Sequence, residues 1–327
     1  EEIRVFETEH EMNFGYLAEN IGNFRVNVFR QRGEVALVAR FVRDRIPSIE
    51  SLGLPPILKD LVMEKRGLIL AVGQAGSGKS TTLASMIDYR NTHRAGHILL
   101  IEDPIEYLHV YKKSIVNQRE VGIDTRSYAT ALLNAVREAP DMLMIGEIRD
   151  RETMQQAMVY AETGHLMMST LHANNSYHTL NRIINLFPHE SRNPLLHDLS
   201  IGLKAVISQR LVRGVDGKRV AAVEILVNSP YVAELIKRGE TEKIKEAMEQ
   251  SLTPGSQTFE QALFALYQEG RISLDEALAN ADSRTNLYWL INNDKRDEPD
   301  AIPPGGPPDN AATGTSFAGF NLDGGKT

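Results

Sequence analysis

Eight consecutive residues, Gly73-Gln74-Ala75-Gly76-Ser77-Gly78-Lys79-Ser80, match G-x-x-x-x-G-K-[ST] at every fixed position. Glycines in such a loop let the backbone curl until several N–H groups face one anion. A helix starting at the lysine adds partial positive charge. Lys79 would then reach the β- and γ-phosphates of a nucleotide, and the Ser80 hydroxyl would bind Mg2+. The flanks suit this chemistry. Leu68-Ile69-Leu70-Ala71-Val72 reads as a buried strand, and Thr81 to Tyr89 can form a helix. A glycine-rich turn that binds nothing is the competing reading, and both flanks count against it.

Three further segments supply charged groups. The apolar run Ile98-Leu99-Leu100-Ile101 ends in Glu102-Asp103-Pro104-Ile105-Glu106, with the proline setting three carboxylates on a turn. Carboxylates beside a nucleotide hold Mg2+, usually through water, or orient and deprotonate the attacking water. A solvated acidic turn is the alternative. The run Met142-Leu143-Met144-Ile145 ends in Gly146-Glu147. It resembles a Walker B strand with glutamate in place of aspartate, which puts Glu147 near the γ-phosphate with a water-mediated hold on magnesium. Asp141, at the other end of that strand, reads as a surface cap. His165 and His172 bracket a third apolar strand. No third metal ligand stands at suitable spacing nearby. A core or surface histidine and a γ-phosphate sensor remain as readings, and the sensor suits His172 better than His165. Six arginines fall between positions 25 and 45, among them Arg25 and Arg40. They form either a solvated β-ribbon face or donors to a nucleotide, in the same subunit or across an interface, because the guanidinium fork binds phosphate bidentately.

The elements that must hold these groups follow from periodicity. Residues 1–46 read as β-rich, with strands around Phe24–Phe29 and Val35–Val42. Residues 47–54 read as a linker, and Pro55-Pro56 opens a helix to about Lys65. Strands are expected at 68–72, 97–101, 142–146 and 166–170, and helices at 79–91, 127–137 and 151–162. This alternation predicts an α/β fold with a largely parallel sheet, whose ligands sit at the carboxyl ends of the strands. The motifs fall at those ends. From about residue 192 the chain reads as mainly helical, with amphipathic stretches at 194–209, 230–238, 240–250, 257–269 and 273–281, and the domains divide into a nucleotide-binding unit at 55–205 and a helical region at 206–291. One hairpin-like segment runs from Arg219 to Val227. The final 36 residues hold five prolines and six glycines and few large apolar side chains, so residues 292–327 read as disordered. Phe317 and Phe320 there make either a short docking motif or part of an inert tail.

Composition narrows the function classes. The 327 residues suffice for two domains. A net charge of −7 counts against a surface that coats nucleic acid, and zero cysteines exclude disulfides and thiolate zinc sites. That fits a reducing cytoplasm. No signal peptide is visible, and no apolar run approaches the length needed to span a bilayer. The chain opens at Glu1, inside a strand-rich region, which suggests a truncated N-terminus.

The ordered set GQAGSGKST, IEDPIEY, MIGEIRD and TGHLMMSTLHANN resembles the Walker A, Asp box, Walker B and His box of the type II/type IV secretion ATPase superfamily (GspE/PilT-like). The resemblance covers roughly residues 10–290. Within the superfamily the chain is similar to the PilT/PilU group of pilus-retraction motors, and more to the PilU branch. The features shared with that branch are Asn117-Gln118-Arg119-Glu120-Val121-Gly122, Leu171-His172-Ala173-Asn174-Asn175, Gln257–Leu263 and a long polar tail.

The resemblance implies a partial N-terminal PAS-like domain, a RecA-like P-loop ATPase domain, and ATP and Mg2+ as cofactors. It implies a cytoplasmic homo-hexamer at the inner-membrane base of a pilus machine, peripheral to the membrane. Its expected partners are a PilT-type ATPase and a membrane platform protein, with no nucleic acid. Residue by residue, it places Gly73 to Thr81 on nucleotide and Ser80, Glu102, Asp103 and Glu147 around magnesium. Glu106 becomes the catalytic glutamate, Glu147 the Walker B residue, His165 and His172 the His-box pair, and Arg25 and Arg40 the N-terminal arginines that approach nucleotide. Gln74-Ala75 stands where Pro-Thr is common. The C-terminal motif of the PilT branch is not recognisable around Tyr231–Leu235, which favours an accessory motor.

Three competing readings remain open. A pilus-extension or secretion ATPase of the same superfamily usually carries a four-cysteine zinc module. A RecA-like nucleic-acid translocase would show aromatic residues interleaved with basic ones. A non-hydrolysing scaffold would not need the lysine and glutamates. Deleting residues 295–327 is expected to leave the melting temperature almost unchanged by differential scanning calorimetry, because so little apolar surface is removed. A large drop would show that the tail packs on the body.

Overall fold

The computed structural model describes residues 2–43 and 45–294. The disordered-tail reading for 295–327 lies outside the described residues. The chain opens with α1 (Glu2–Glu9), then strands β1 (Glu11–Ala18), β2 (Gly22–Gln31) and β3 (Glu34–Val42), which form an antiparallel sheet. Arg32 and Gly33 link β2 to β3 with φ of 53° and 86°. Positive φ at both positions gives the turn twist that matches paired strands. Side chains alternate across this sheet. Phe24, Val26 and Val28 share one face with Leu37, Ala39 and Phe41. Arg25 and Arg40 are direct cross-strand partners, so they stand side by side on the other face.

The helix α2 (Ile57–Met63) leads into the main sheet. Its elements follow as β4 (Gly67–Val72), α3 (Lys79–His93), β5 (Gly96–Glu102), β6 (Ser114–Glu120), α4 (Tyr128–Glu138), β7 (Met142–Ile145), α5 (Arg151–Glu162), β8 (Leu166–Leu171), α6 (Ser176–Asn185), α7 (Arg192–Gly202), β9 (Leu203–Arg213) and β10 (Arg219–Val227). The strand order is β10-β9-β4-β8-β7-β5-β6, with only the β9–β10 pair antiparallel. Every residue of β4, β7 and β8 is buried, as strands covered on both faces must be. Leu68, Leu70 and Val72 pack under α4, α5 and α7 on one face, and Ile69 and Ala71 under α2 and α3 on the other.

The expected elements of the α/β core are present within a residue or two. The helix expected over 194–209 is not. It ends at Gly202, and residues 203–213 form β9 beside β4. The main sheet therefore runs through the boundary drawn at residue 205. The run Ala205-Val206-Ile207-Ser208-Gln209 is rich in β-branched residues, and the partner strand decides its conformation. β6 was also not foreseen.

The C-terminal helices α8 (Pro230–Arg238), α9 (Ile244–Glu249), α10 (Phe259–Gln268), α11 (Leu274–Asn280) and α12 (Arg284–Asp294) complete the fold. A third core, built on Phe259, Leu263 and Leu287, joins the last three to the β9–β10 pair. α12 overruns the tail boundary drawn at Asn292. Among the described residues no helix is long and apolar enough to cross a membrane. Leu70→Ala is expected to cost about 2–5 kcal/mol by urea unfolding, since β4 is packed on both faces and cannot collapse around the cavity. A loss below about 1 kcal/mol would show that this core is loosely packed.

Candidate active site

Four parallel strands bring their carboxyl ends to one edge. β4 ends at the glycine loop, β5 at Glu102, β7 at Gly146-Glu147, and β8 at His172. The loop geometry needs its glycines. Gly78 has φ 91°, and a Cβ there would lie 2.7 Å from Gln209 Nε2. A Cβ on Gly73 would lie 2.5 Å from both the Gln209 carbonyl oxygen and Ser77 Oγ. Gln209, on β9, thus backs the loop, and Thr82 Oγ1 donates to its Oε1 at 2.6 Å. Its sequence signal was faint: Gln209 stands in a polar run, Ser208-Gln209-Arg210, with nothing local to single it out.

Lys79 Nζ donates to the Gly73 and Gln74 carbonyls at 2.8 and 2.9 Å. Burial pulls its ammonium below the usual lysine range, while Glu147 and Glu106 pull it back up. Ser77 Oγ is buried and lacks a hydrogen-bond partner among the described residues. An unpaired hydroxyl and a desolvated cation in one glycine loop fit a phosphate chain.

Lys79, Ser80, Glu102, Asp103, Glu106, Glu147 and His172 line one cleft. The Glu147 carboxylate lies between Arg149 Nε at 2.8 Å and His172 Nε2 at 3.2 Å. Arg149 also reaches to within 3.8 Å of Asp103. Glu102 is buried, and Gln118 Nε2 donates to it at 2.9 Å. Desolvation pushes its carboxyl up to about 7, with repulsion from Glu106 and Glu120 adding to the rise. Glu106 is exposed at the mouth, facing the loop.

An adjoining cleft of about 420 Å³ lies between the loop and the N-terminal sheet. Arg25, Arg40, Arg43 and Arg219 line it together with Lys79 and Glu106. Arg25 also reaches Glu120 at 3.5 Å. The two clefts share the lysine and have opposite lining charge. The basic one suits a polyphosphate. The acidic one suits a cation and a water. Gly73, Gln74 and Ser77 border a recess on the loop's far side, and Thr81 borders the basic cleft.

Among the described residues no group of three or more His, Cys, Asp or Glu side chains is suited to hold a metal ion. One hydroxyl and separate carboxylates fit Mg2+, which keeps several waters and takes other ligands from nucleotide phosphates. The two histidines are not brought together. His165 precedes β8 and contacts the Tyr160 carbonyl at 3.3 Å, roughly 20 Å along the strand from His172. Arg219 was missed as a site residue, since it only began a hairpin in sequence.

Residues 16–294 match the family model described as Type II/IV secretion system protein. The chain belongs to that family. It is 51% identical over 289 residues to the type IV pilus ATPase PilU of Pseudomonas aeruginosa, covering 88% of this chain and 76% of that protein. It is 40% identical to the pilus retraction ATPase PilT of the same organism, over 86% of this chain and 82% of that protein. The crystal structure of the pilus retraction motor PilT with bound ADP superposes with a TM-score of 0.83 at 42% identity, covering 88% of this chain and 82% of that one.

Glu102 yields a pH prediction. The folded chain holds this proton to about 7, while the unfolded chain releases it near 4.5. Its contribution to stability therefore falls as pH rises through that window and is level above it. Glu102→Gln is expected to remove a fall of roughly 3 kcal/mol between pH 5 and pH 8 in urea unfolding. Parallel pH dependence in variant and wild type would contradict this.

Proposed function

We propose that this chain is an ATP-driven motor of a type IV pilus machine that powers pilus retraction and twitching motility as an accessory to a PilT-type motor. It is an ATPase of the type II/IV secretion family, related to the motors of pilus retraction. The observation that carries the reading is the meeting of Lys79, Ser80, Glu106, Glu147 and His172 at one cleft on the carboxyl edge of the parallel sheet.

In this reading Lys79 and the loop N–H groups hold the β- and γ-phosphates. Glu106 orients and deprotonates the attacking water. Ser80, Glu147, Asp103 and Glu102, which line this cleft, would hold Mg2+, and the ion would supply positive charge to offset that of the phosphates. His172 reports the γ-phosphate through its contact with Glu147. Arg25 and Arg40 stabilise charge that grows on the transferred phosphoryl group. The chain works as a homo-hexamer in the cytoplasm at the inner-membrane base of the machine, against a membrane platform protein. Hydrolysis moves the N-terminal sheet against the ATPase body. Support for the accessory role comes from the 51% identity to PilU.

Purified Lys79→Ala is expected to lose turnover by about 10² or more, because no other loop side chain offers a cation to the phosphates. In cells, retraction should weaken without this chain and vanish without the PilT-type motor. Strong retraction driven by this chain in cells lacking that motor would refute the accessory role.

A further inference from the structure

We propose that Tyr107 is a positioning residue that clasps the N-terminal sheet to the catalytic loop and to the helix carrying Lys79. This rests on hydrolysis occurring in the cleft described above. Tyr107 follows Glu106 directly and is 4% exposed. A buried phenol needs a partner for its hydroxyl, and this one has two. Arg43 Nη1 donates to the Tyr107 oxygen at 3.0 Å, and Thr81 Oγ1 lies 2.8 Å away. With the arginine as donor, the phenol proton is free to point at Thr81.

The three residues come from separate units. Arg43 is the first residue past β3, Tyr107 lies in the turn after β5, and Thr81 is in the first turn of α3, two residues past Lys79. The main chain reinforces the link. Arg43 pairs with Tyr107 as a parallel bridge. The Arg43 N–H donates to the Glu106 carbonyl at 3.3 Å, and the Leu108 N–H donates to the Arg43 carbonyl at 3.0 Å. The backbone of Glu106 is therefore hydrogen-bonded to the exit of the N-terminal sheet. Any shift of β3 pulls on Glu106 through the backbone and on Thr81 through the phenol. Glu106 and Lys79 line the same two clefts, and Tyr107 ties the turn that carries one to the helix that carries the other.

The test is Tyr107→Phe, which keeps the buried ring and removes one oxygen, with Arg43→Gln approaching the same bond from its exposed end. Tyr107→Phe is expected to lower kcat for ATP hydrolysis about tenfold while KM for ATP changes less than about twofold, because misplaced groups slow chemistry more than they weaken binding. Adding Arg43→Gln to Tyr107→Phe should lower kcat by no more than about a further twofold, since Arg43 acts on the chemistry through the lost hydroxyl, whereas its place in the basic cleft would show as a rise in KM for ATP. A melting temperature near wild type for both variants separates positioning from unfolding. Lys79→Ala serves as the reference. If Lys79→Ala is dead and Tyr107→Phe turns over like wild type, or the two penalties multiply in full, the positioning role is overturned while the site assignment stands. If Lys79→Ala turns over like wild type, hydrolysis lies elsewhere and both fall.

Discussion

The structure depends on a desolvated cation. Lys79 is almost buried, and in the folded chain its ammonium rests on two carbonyls of its own loop and on the field of Glu147 and Glu106. A charge so placed is costly unless negative groups surround it. That requirement dictates much else. The loop must curl tightly, which forces glycine at 73 and 78 against Gln209. The glutamates must arrive from other strands, which the parallel sheet achieves by ending β5 and β7 at the same edge as β4. A nucleotide phosphate chain is the ligand that completes the balance.

Charge is sorted on either side of this lysine. Arginines from β2, β3 and β10 line one cleft, and carboxylates from β5 and β7 line the other. Phosphate would enter where cations dominate, with the metal and attacking water beside the carboxylates. The N-terminal sheet thereby becomes part of the site. Its contacts through Arg25 and Arg43 make its position relative to the ATPase body a chemical variable. A motor needs that coupling between domain position and turnover.

The site was largely legible in sequence because its groups sit at strand ends marked by apolar runs. Gly73–Ser80, Glu102–Glu106, Glu147 and His172 each follow such a run, and the parallel sheet gathers them. The cross-strand placement of Arg25 and Arg40 also follows from alternation, once the two-residue turn at Arg32-Gly33 fixes the register. What was hidden depended on distant partners. β9 looked helical because Arg192–Gly202 is helical and the apolar run continues past Gly202. Only pairing with β4 makes residues 203–213 a strand. Gln209, Arg219 and the Arg43–Tyr107–Thr81 chain have no local signature, since each joins segments tens of residues apart. His165 shares a motif with His172 yet lies at the opposite end of β8, as two histidines that bracket an extended six-residue strand must.

The central claim is that one cleft binds nucleotide through the glycine loop and hydrolyses it through Glu106. Nucleotide affinity and steady-state turnover of Glu106→Gln, measured on the same preparation, test it most directly. Affinity should stay within about twofold of wild type while turnover falls on the order of 10² or more, because the amide keeps size and hydrogen bonding but cannot take a proton. Near-wild-type turnover of Glu106→Gln, with Glu102→Gln inactive, would contradict the account and move the chemistry to the other glutamate of the turn.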